Sequence, residues 1–206
     1  MNKHYTESKG LHLNYSIISG MIDSNLSVLD LGCGDGTLLK MLKDKKINAR
    51  GIDIKQDNII KCLEKGLSVV QGDIDEGLHE YPDKSYNYVI LNQTLQSTEK
   101  PHFVIHEMLR VGEKVVVSFP NFGYWKVRFY LMFKGKMPKS KMLPFQWYDT
   151  PNIHLLTIED FYDFAKENNF KIEKKISMTK AKVRDSLFHR LFDNFLTEEV
   201  IFVISR

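Results

Sequence analysis

Short apolar runs alternate with amphipathic segments along this chain, and the alternation predicts a doubly wound α/β fold on a mostly parallel sheet. Three observations carry that prediction. The apolar runs leave room for helices between them, a glycine-rich turn follows the first run, and acidic residues close the next two. Seven strands are expected in a single domain spanning residues 1–206, a length that suits one domain of roughly 100–200 residues.

Ser27 to Leu31 (SVLDL) reads as a buried strand running straight into glycines. Thr37 to Lys43 carries Leu38, Leu39, Met41 and Leu42, the pattern of a helix packed on a sheet. Asn48 to Ile54 is the second strand. Asp57 is placed to cap a helix whose Ile59, Ile60 and Leu63 share one face, and Gly66 to end it. Leu67 to Val70 and Tyr86 to Leu91 make strands three and four. Pro101 opens a helix to Arg110, with Val104, Ile105, Met108 and Leu109 at helical spacing. Glu113 to Phe119 is the fifth strand. Thr157 and Asp160 form a variant capping box before Phe161, Phe164 and Ala165. Ile172 to Ser177 and Val200 to Ile204 complete the sheet. Residues 120–156 break the rhythm as an insertion after the fifth strand, too long for a plain connection.

Composition narrows the function classes. Of 206 residues, 43% are hydrophobic and 27% charged, with 29 Lys+Arg against 26 Asp+Glu for a net charge of +3. Two cysteines, Cys33 and Cys62, cannot make a disulfide framework and point to a reducing, cytoplasmic setting. Met1 to Gly10 lacks the apolar core of a signal peptide, and no apolar run approaches the roughly 20 residues of a membrane span. The charge is uneven, however. Phe122 to Gln146 holds six Lys/Arg and no acid, and Lys171 to Arg190 holds seven against two; the remainder carries 16 basic and 24 acidic side chains.

The sharpest local signal is Val28-Leu-Asp-Leu-Gly-Cys-Gly-Asp-Gly36 at a strand-to-helix junction. Gly32, Gly34 and Gly36 are spaced G-x-G-x-G, whereas the dinucleotide fingerprint is G-x-G-x-x-G, and Thr37 stands where its last glycine would begin to fall. Asp53 closes the second strand, 21 positions after Gly32, where a carboxylate can accept ribose hydroxyls. This arrangement resembles motif I of class I methyltransferases, Rossmann-like proteins that bind S-adenosylmethionine (SAM). The resemblance implies that Asp30 and the backbone of Gly32, Cys33, Gly34 and Gly36 face the methionyl part. It implies that Asp53 meets the ribose and Asp73 the adenine, with Ile54 and Ile74 also in the cofactor site, and that Leu91, Asn92 and Gln93 line the methyl-donor end.

A catalytic group is harder to find. Asn92-Gln-Thr-Leu-Gln-Ser97, after the fourth strand, contains no His, Asp or Glu to serve as a base. Pro120-Asn-Phe-Gly123 follows the fifth strand and is not the Asn/Asp-Pro-Pro-aromatic box of amino-group methyltransferases. Cys33 is read as a small residue filling space under the loop and Cys62 as core. His4, His12, His106 and His189 lack metal-ligand spacing, and no metal is expected. His154, in Trp147-Tyr-Asp-Thr-Pro-Asn-Ile-His154, is either a general base or a hydrogen-bonded loop histidine. Between these features, Phe122 to Gln146 interleaves its basic residues with seven aromatics. Trp125, Phe129, Met132 and Phe133 could share one face of a helix over Tyr124 to Phe133. Such a segment suits a helix packed across the sheet edge, a substrate lid or a docking face. Nucleic-acid binding, which would show steep salt dependence, has no other support.

Together these segments resemble the methionine biosynthesis protein MetW family, over about Val28 to Lys175. The resemblance rests on the glycine motif and on Gln71-Gly-Asp-Ile-Asp-Glu-Gly-Leu78, Tyr88-Val-Ile-Leu-Asn-Gln-Thr-Leu-Gln96, Glu107-Met-Leu-Arg-Val-Gly112, Ser118-Phe-Pro-Asn-Phe-Gly123 and Trp147 to His154. The family usually has Ser where Asn92 stands. The resemblance implies a SAM or S-adenosylhomocysteine (SAH) site, and an accessory or regulatory role beside a homoserine O-acyltransferase of the α/β-hydrolase fold. The rival expectation is a free-standing methyltransferase of a small molecule or lipid.

Overall fold

The computed structural model describes residues 13–140, 143–179, 182–185 and 190–206. Helix α1 covers 13–20. There follow β1 (Ser27–Leu31), α2 (Thr37–Asp44), β2 (Asn48–Asp53), α3 (Gln56–Glu64), β3 (Ser68–Gln71), β4 (Tyr86–Asn92), α4 (Pro101–Val111) and β5 (Gly112–Pro120). The second half holds α5 (Trp125–Lys134), α6 (Ile158–Glu167), β6 (Lys171–Thr179), β7 (Lys182–Asp185), α7 (Arg190–Leu196) and β8 (Glu199–Ser205). All seven expected strands are present, and β7 adds an eighth at the sheet edge. The order is β3-β2-β1-β4-β5-β8-β6-β7. The first five strands in that order run parallel, while β8 is antiparallel to both β5 and β6.

The pleat sorts side chains onto two faces. Leu29, Leu31, Val89, Leu91, Val115, Val117 and Phe202 join α4 and α6 in one core. Their neighbours Val28, Ile90, Val116 and Ile201 meet α1 and α2, through Ile18, Leu38 and Leu42, in the other. Phe119, Phe161 and Phe202 stack at centroid spacings of 4.6–6.0 Å beneath the ends of the central strands. Pro101 occupies the first turn of α4, and Thr157 with Asp160 forms the expected capping box of α6.

Two expectations fail at α3. Lys55, not Asp57, is the N-cap residue, and Asp57 lies in the first turn, where a carboxylate favours the helix dipole. Ile60 and Leu63 face outward, while Cys62 is the buried residue, because this short helix meets the sheet along one narrow stripe.

Several family strings prove to be joints. Arg110 donates to Glu107, Asp83 and the carbonyls of Leu78 and Tyr81, fastening the loop before β4 to α4. Those bonds hold the Glu107 carboxyl down to about 2. Asn121 is a second joint. Its Nδ2 donates to the carbonyls of Asn194 and Thr197, both at 2.8 Å, and its Oδ1 accepts from Gly123 and Ile158. One buried amide thereby ties the end of β5 to the starts of α5 and α6 and to the end of α7.

Candidate functional site

In open α/β sheets ligands bind beyond the carboxyl ends of the strands, where the strand order reverses. Here that point lies between β1 and β4, and the expected site residues gather along the same edge. Gly32, Gly34 and Gly36 all adopt positive φ, as the tight turn after β1 requires. A Cβ on Gly36 would lie 2.7 Å from Cys62 Sγ and one on Gly32 2.8 Å from Thr94, whereas one on Gly34 would meet nothing within 4 Å. Gly34 therefore borders open space, and its neighbours are packed from below.

Four of the loop's own donors are committed. Gly32 and Cys33 N–H donate to the Ile52 carbonyl, Gly36 N–H to the Cys33 carbonyl, and Gly34 N–H to Asp53 Oδ2 at 2.8 Å. A pyrophosphate needs free N–H groups at such a turn, and here it would also meet two buried carboxylates. The edge instead suits a ligand bringing hydroxyls and positive charge.

Those carboxylates are Asp30 and Asp53. Asp53 Oδ1 accepts from Lys55 N–H at 2.9 Å and Asn58 Nδ2 at 3.0 Å, so the carboxylate braces both the glycine loop and the start of α3. Asp30 is buried and has no hydrogen-bond donor among the described residues. Burial, reinforced by the nearby Asp53 charge, pushes its carboxyl up to about 8. Between the unfolded value and pH 8 the folded state holds a proton that the unfolded state releases. The presence of Asp30 therefore costs stability increasingly as pH rises across that window. Asp30→Asn is expected to raise the melting temperature more at pH 8 than at pH 5, and equal gains would contradict the assignment.

Asp73 stands apart, two strands from β1. It caps the short helical turn Ile74–Glu76 by accepting from Asp75 N–H, and Ile74 packs half-buried on the core. Ile54 lies just past β2 and is 58% exposed, an apolar rim beside Asp53. Leu91 is buried in the core, so its side chain is not available at the rim. Asn92 accepts from Ser118 Oγ. Gln93 has a left-handed backbone (φ 54°), with its N–H shared between Ser118 O and Ser118 Oγ at 3.0 Å each.

Both cysteines are free and buried beneath the loop, and burial pushes each thiol upward, the opposite of an activated nucleophile. Among the described residues no group of three His, Cys, Asp or Glu could hold a metal, and no helix is long and apolar enough to cross a membrane. His4, His12 and His189 lie outside the described residues, while His102 and His106 share Asn168 Oδ1 and join α4 to α6. His154 is placed over the edge: Ile153 and His154 N–H both donate to the Gln96 carbonyl, and Gln96 Nε2 donates to the Gln93 carbonyl at 2.8 Å. The His154 Nε2 is buried with no partner among the described residues.

Three further polar residues reach this edge. Glu199, at the head of β8, accepts from Gln93 Nε2 at 2.6 Å and from Asn14 of α1. Tyr15 of α1 is held protonated by burial and by the charges of Asp30, Asp35 and Glu199. Neither carries a local sequence signal, since Glu199 precedes the apolar run Val200 to Ile204 and Tyr15 lies in the N-terminal helix.

Around this edge, α5 is not the helix packed across the sheet, one of the three arrangements its sequence suits. Trp125, Phe129, Tyr130, Leu131, Met132 and Phe133 are all exposed, and only Val127 is buried. The helix meets the body through Val127, which packs with Tyr124 and Leu143, and through Phe129 against Phe195 of α7. Phe145, Trp147 and Tyr148 are exposed as well. The second basic segment is less available than its charge implies, since Lys175 is fully buried in an ion pair with Asp193 and Lys171 pairs with Glu173.

Comparison with known proteins agrees with this architecture. The sequence pattern described as methionine biosynthesis protein MetW matches residues 12–204. The bifunctional methionine biosynthesis protein MetXA/MetW of Rhodopirellula baltica is 34% identical over 176 residues, 81% of this chain. The chain spans only 28% of that protein's length. A SAM-dependent methyltransferase structure from Thermotoga maritima superposes with a TM-score of 0.71 at 14% identity, covering 98% of this chain and 91% of the other. One from Archaeoglobus fulgidus gives 0.66 at 17% identity, covering all of both. The fold is thus that of class I SAM-dependent methyltransferases, and with its pattern matched along nearly the whole described length, this chain belongs to the methionine biosynthesis protein MetW family.

Proposed function

We propose that the chain is a SAM-binding accessory subunit that docks on a homoserine O-acyltransferase of the α/β-hydrolase fold and adjusts its activity to SAM or SAH. The observation that carries the reading is the Rhodopirellula relative, in which a MetXA portion and a MetW portion share one polypeptide. Two portions joined in one chain in one organism are candidates for a complex where they are separate. The nucleoside would lie along the β1/β4 edge, with Asp53 toward the ribose, Ile54 and Asp73 toward the base, and Asp30 toward the methionyl ammonium. An ammonium beside Asp30 offsets the cost of that buried charge.

The docking face in this reading is α5 with Phe145, Trp147 and Tyr148. Contiguous exposed aromatics rimmed by charge mark protein contacts on soluble domains. Lys134 and Lys136 are exposed beside them, in a stretch without acids, which favours an acidic partner surface. The test is sedimentation of the chain with a homoserine O-acyltransferase from the same genome. A stable complex is expected, and reversing Lys134 and Lys136 to Glu should weaken it at least tenfold at low salt without changing the circular dichroism. An unaltered complex would place that face in solvent.

A free-standing methyltransferase is the second reading, favoured by the buried His154 Nε2, which has no partner among the described residues, at the methyl-donor edge. It predicts SAH release from SAM in cell extract without the acyltransferase.

A further inference from the structure

The nucleoside reading leaves one carboxylate of the edge without a role. β8 runs antiparallel to β5 and pairs Glu199 with Pro120, so its first residue arrives where the parallel strands end. Glu199 is 5% exposed. Asn14 and Gln93 both donate to its Oε1, and no described residue donates to Oε2. The surrounding amides show the same imbalance. Asn14 is fully buried, yet its Oδ1 has no partner among the described residues. Gln96 is 5% exposed and spends its Nε2 on the Gln93 carbonyl, while its Oε1 is also without a partner among them.

Buried polar atoms in folded proteins are paired almost without exception. Asn14 Oδ1 and Gln96 Oε1 depart from that rule, and the Glu199 carboxylate opens a strand whose next five residues, Val200 to Ile204, are all apolar and buried. The amide orientations are set by the bonds their nitrogens make, and the oxygens they leave without a partner among the described residues are those of Asn14 and Gln96. Their complement is a ligand group that brings protons and positive charge. Burial pushes the Glu199 carboxyl up to about 7, as expected of a group lacking its cation. Gln93 links the subsite to the end of β4, and Tyr15 lies in the field of both Glu199 and Asp30.

We propose that Glu199, with Gln93 and Gln96, forms an acceptor subsite beside the methyl-donor end of the nucleoside site, which receives a primary amine of a small molecule. This rests on the SAM reading above. An anion is disfavoured by the buried Glu199 carboxylate, which it would have to face.

Sinefungin tests the subsite, because it is the SAM analogue carrying a cationic amine where SAM carries its methyl sulfonium. Calorimetry should show the wild-type chain binding sinefungin about tenfold more tightly than SAH, the effect of one charge-assisted hydrogen bond. Glu199→Gln keeps the shape and should abolish that preference while leaving SAH affinity within twofold. Gln96→Met removes a second acceptor and should reduce the preference in the same direction, which guards against a poorly folded first variant. A wild-type ratio near one, or an unchanged ratio in both variants, overturns the subsite. Failure of the wild type to bind either compound overturns the nucleoside site itself, and the subsite with it.

Discussion

Replacing Asp53 with alanine is expected to weaken SAM and SAH binding by about a hundredfold or more. The carboxylate has about four lone-pair positions, and three are taken by Gly34 N–H, Lys55 N–H and Asn58 Nδ2. The remaining position is the one a ribose hydroxyl can use. Alanine removes that charge-assisted bond, worth about 1.5–3 kcal/mol, and also releases Gly34, whose position defines the open side of the loop. Asp53→Asn separates the two effects, since its carbonyl oxygen can still accept from Gly34 while the charge is gone. Its loss should be smaller than that of alanine. Calorimetric titration decides, and unchanged affinity in Asp53→Ala would show that the β1/β4 edge does not bind the nucleoside this way. A cross-check is available in Asp30, whose carboxyl Asp53 helps to raise: removing Asp53 should let it titrate lower.

Asn121→Ala should be the most destabilising single change outside the apolar core, by about 3–5 kcal/mol. The side chain is 2% exposed and makes four hydrogen bonds to backbone groups of three different segments. Its loss leaves two carbonyls and two N–H groups short of a partner, each costing about 1–3 kcal/mol where water cannot replace it. Gly123 has no room to compensate, since a Cβ there would collide with Asn194 Oδ1. Denaturant unfolding at constant m-value measures the change. A loss below about 1 kcal/mol would mean that the ends of β5, α6 and α7 hold together without this joint.

How much of this was legible in the sequence follows from how far each pattern reaches. β1 to β5, the glycine turn and the acids at strand ends are local signals, each read from a few neighbouring residues, and all five strands stand where periodicity placed them. The capping box at Thr157 is equally local. Glu199 and Tyr15 were not legible as site residues because an antiparallel last strand and an N-terminal helix deliver them from opposite ends of the chain. No acid follows β4 within its own stretch of sequence, and the carboxylate that Gln93 meets comes from 106 residues later. β7 is short and basic (KVRD), so nothing apolar announced it. At α3 and α5 the helices were found, but periodicity could not tell a face that meets the sheet from one left open. The exposed Ile60, Leu63, Met132 and Phe133 record that difference.

The central claim joins the nucleoside edge to the aromatic face: ligand at one should be felt by a partner at the other. It is tested most directly by assaying homoserine acylation by the purified complex while SAM or SAH is titrated, with calorimetry on the same complex reporting occupancy. The account predicts that the acylation rate changes with a midpoint matching the measured affinity, and that Asp53→Ala shifts that midpoint to higher ligand concentration. An acylation rate that stays constant from empty to saturated site would contradict it.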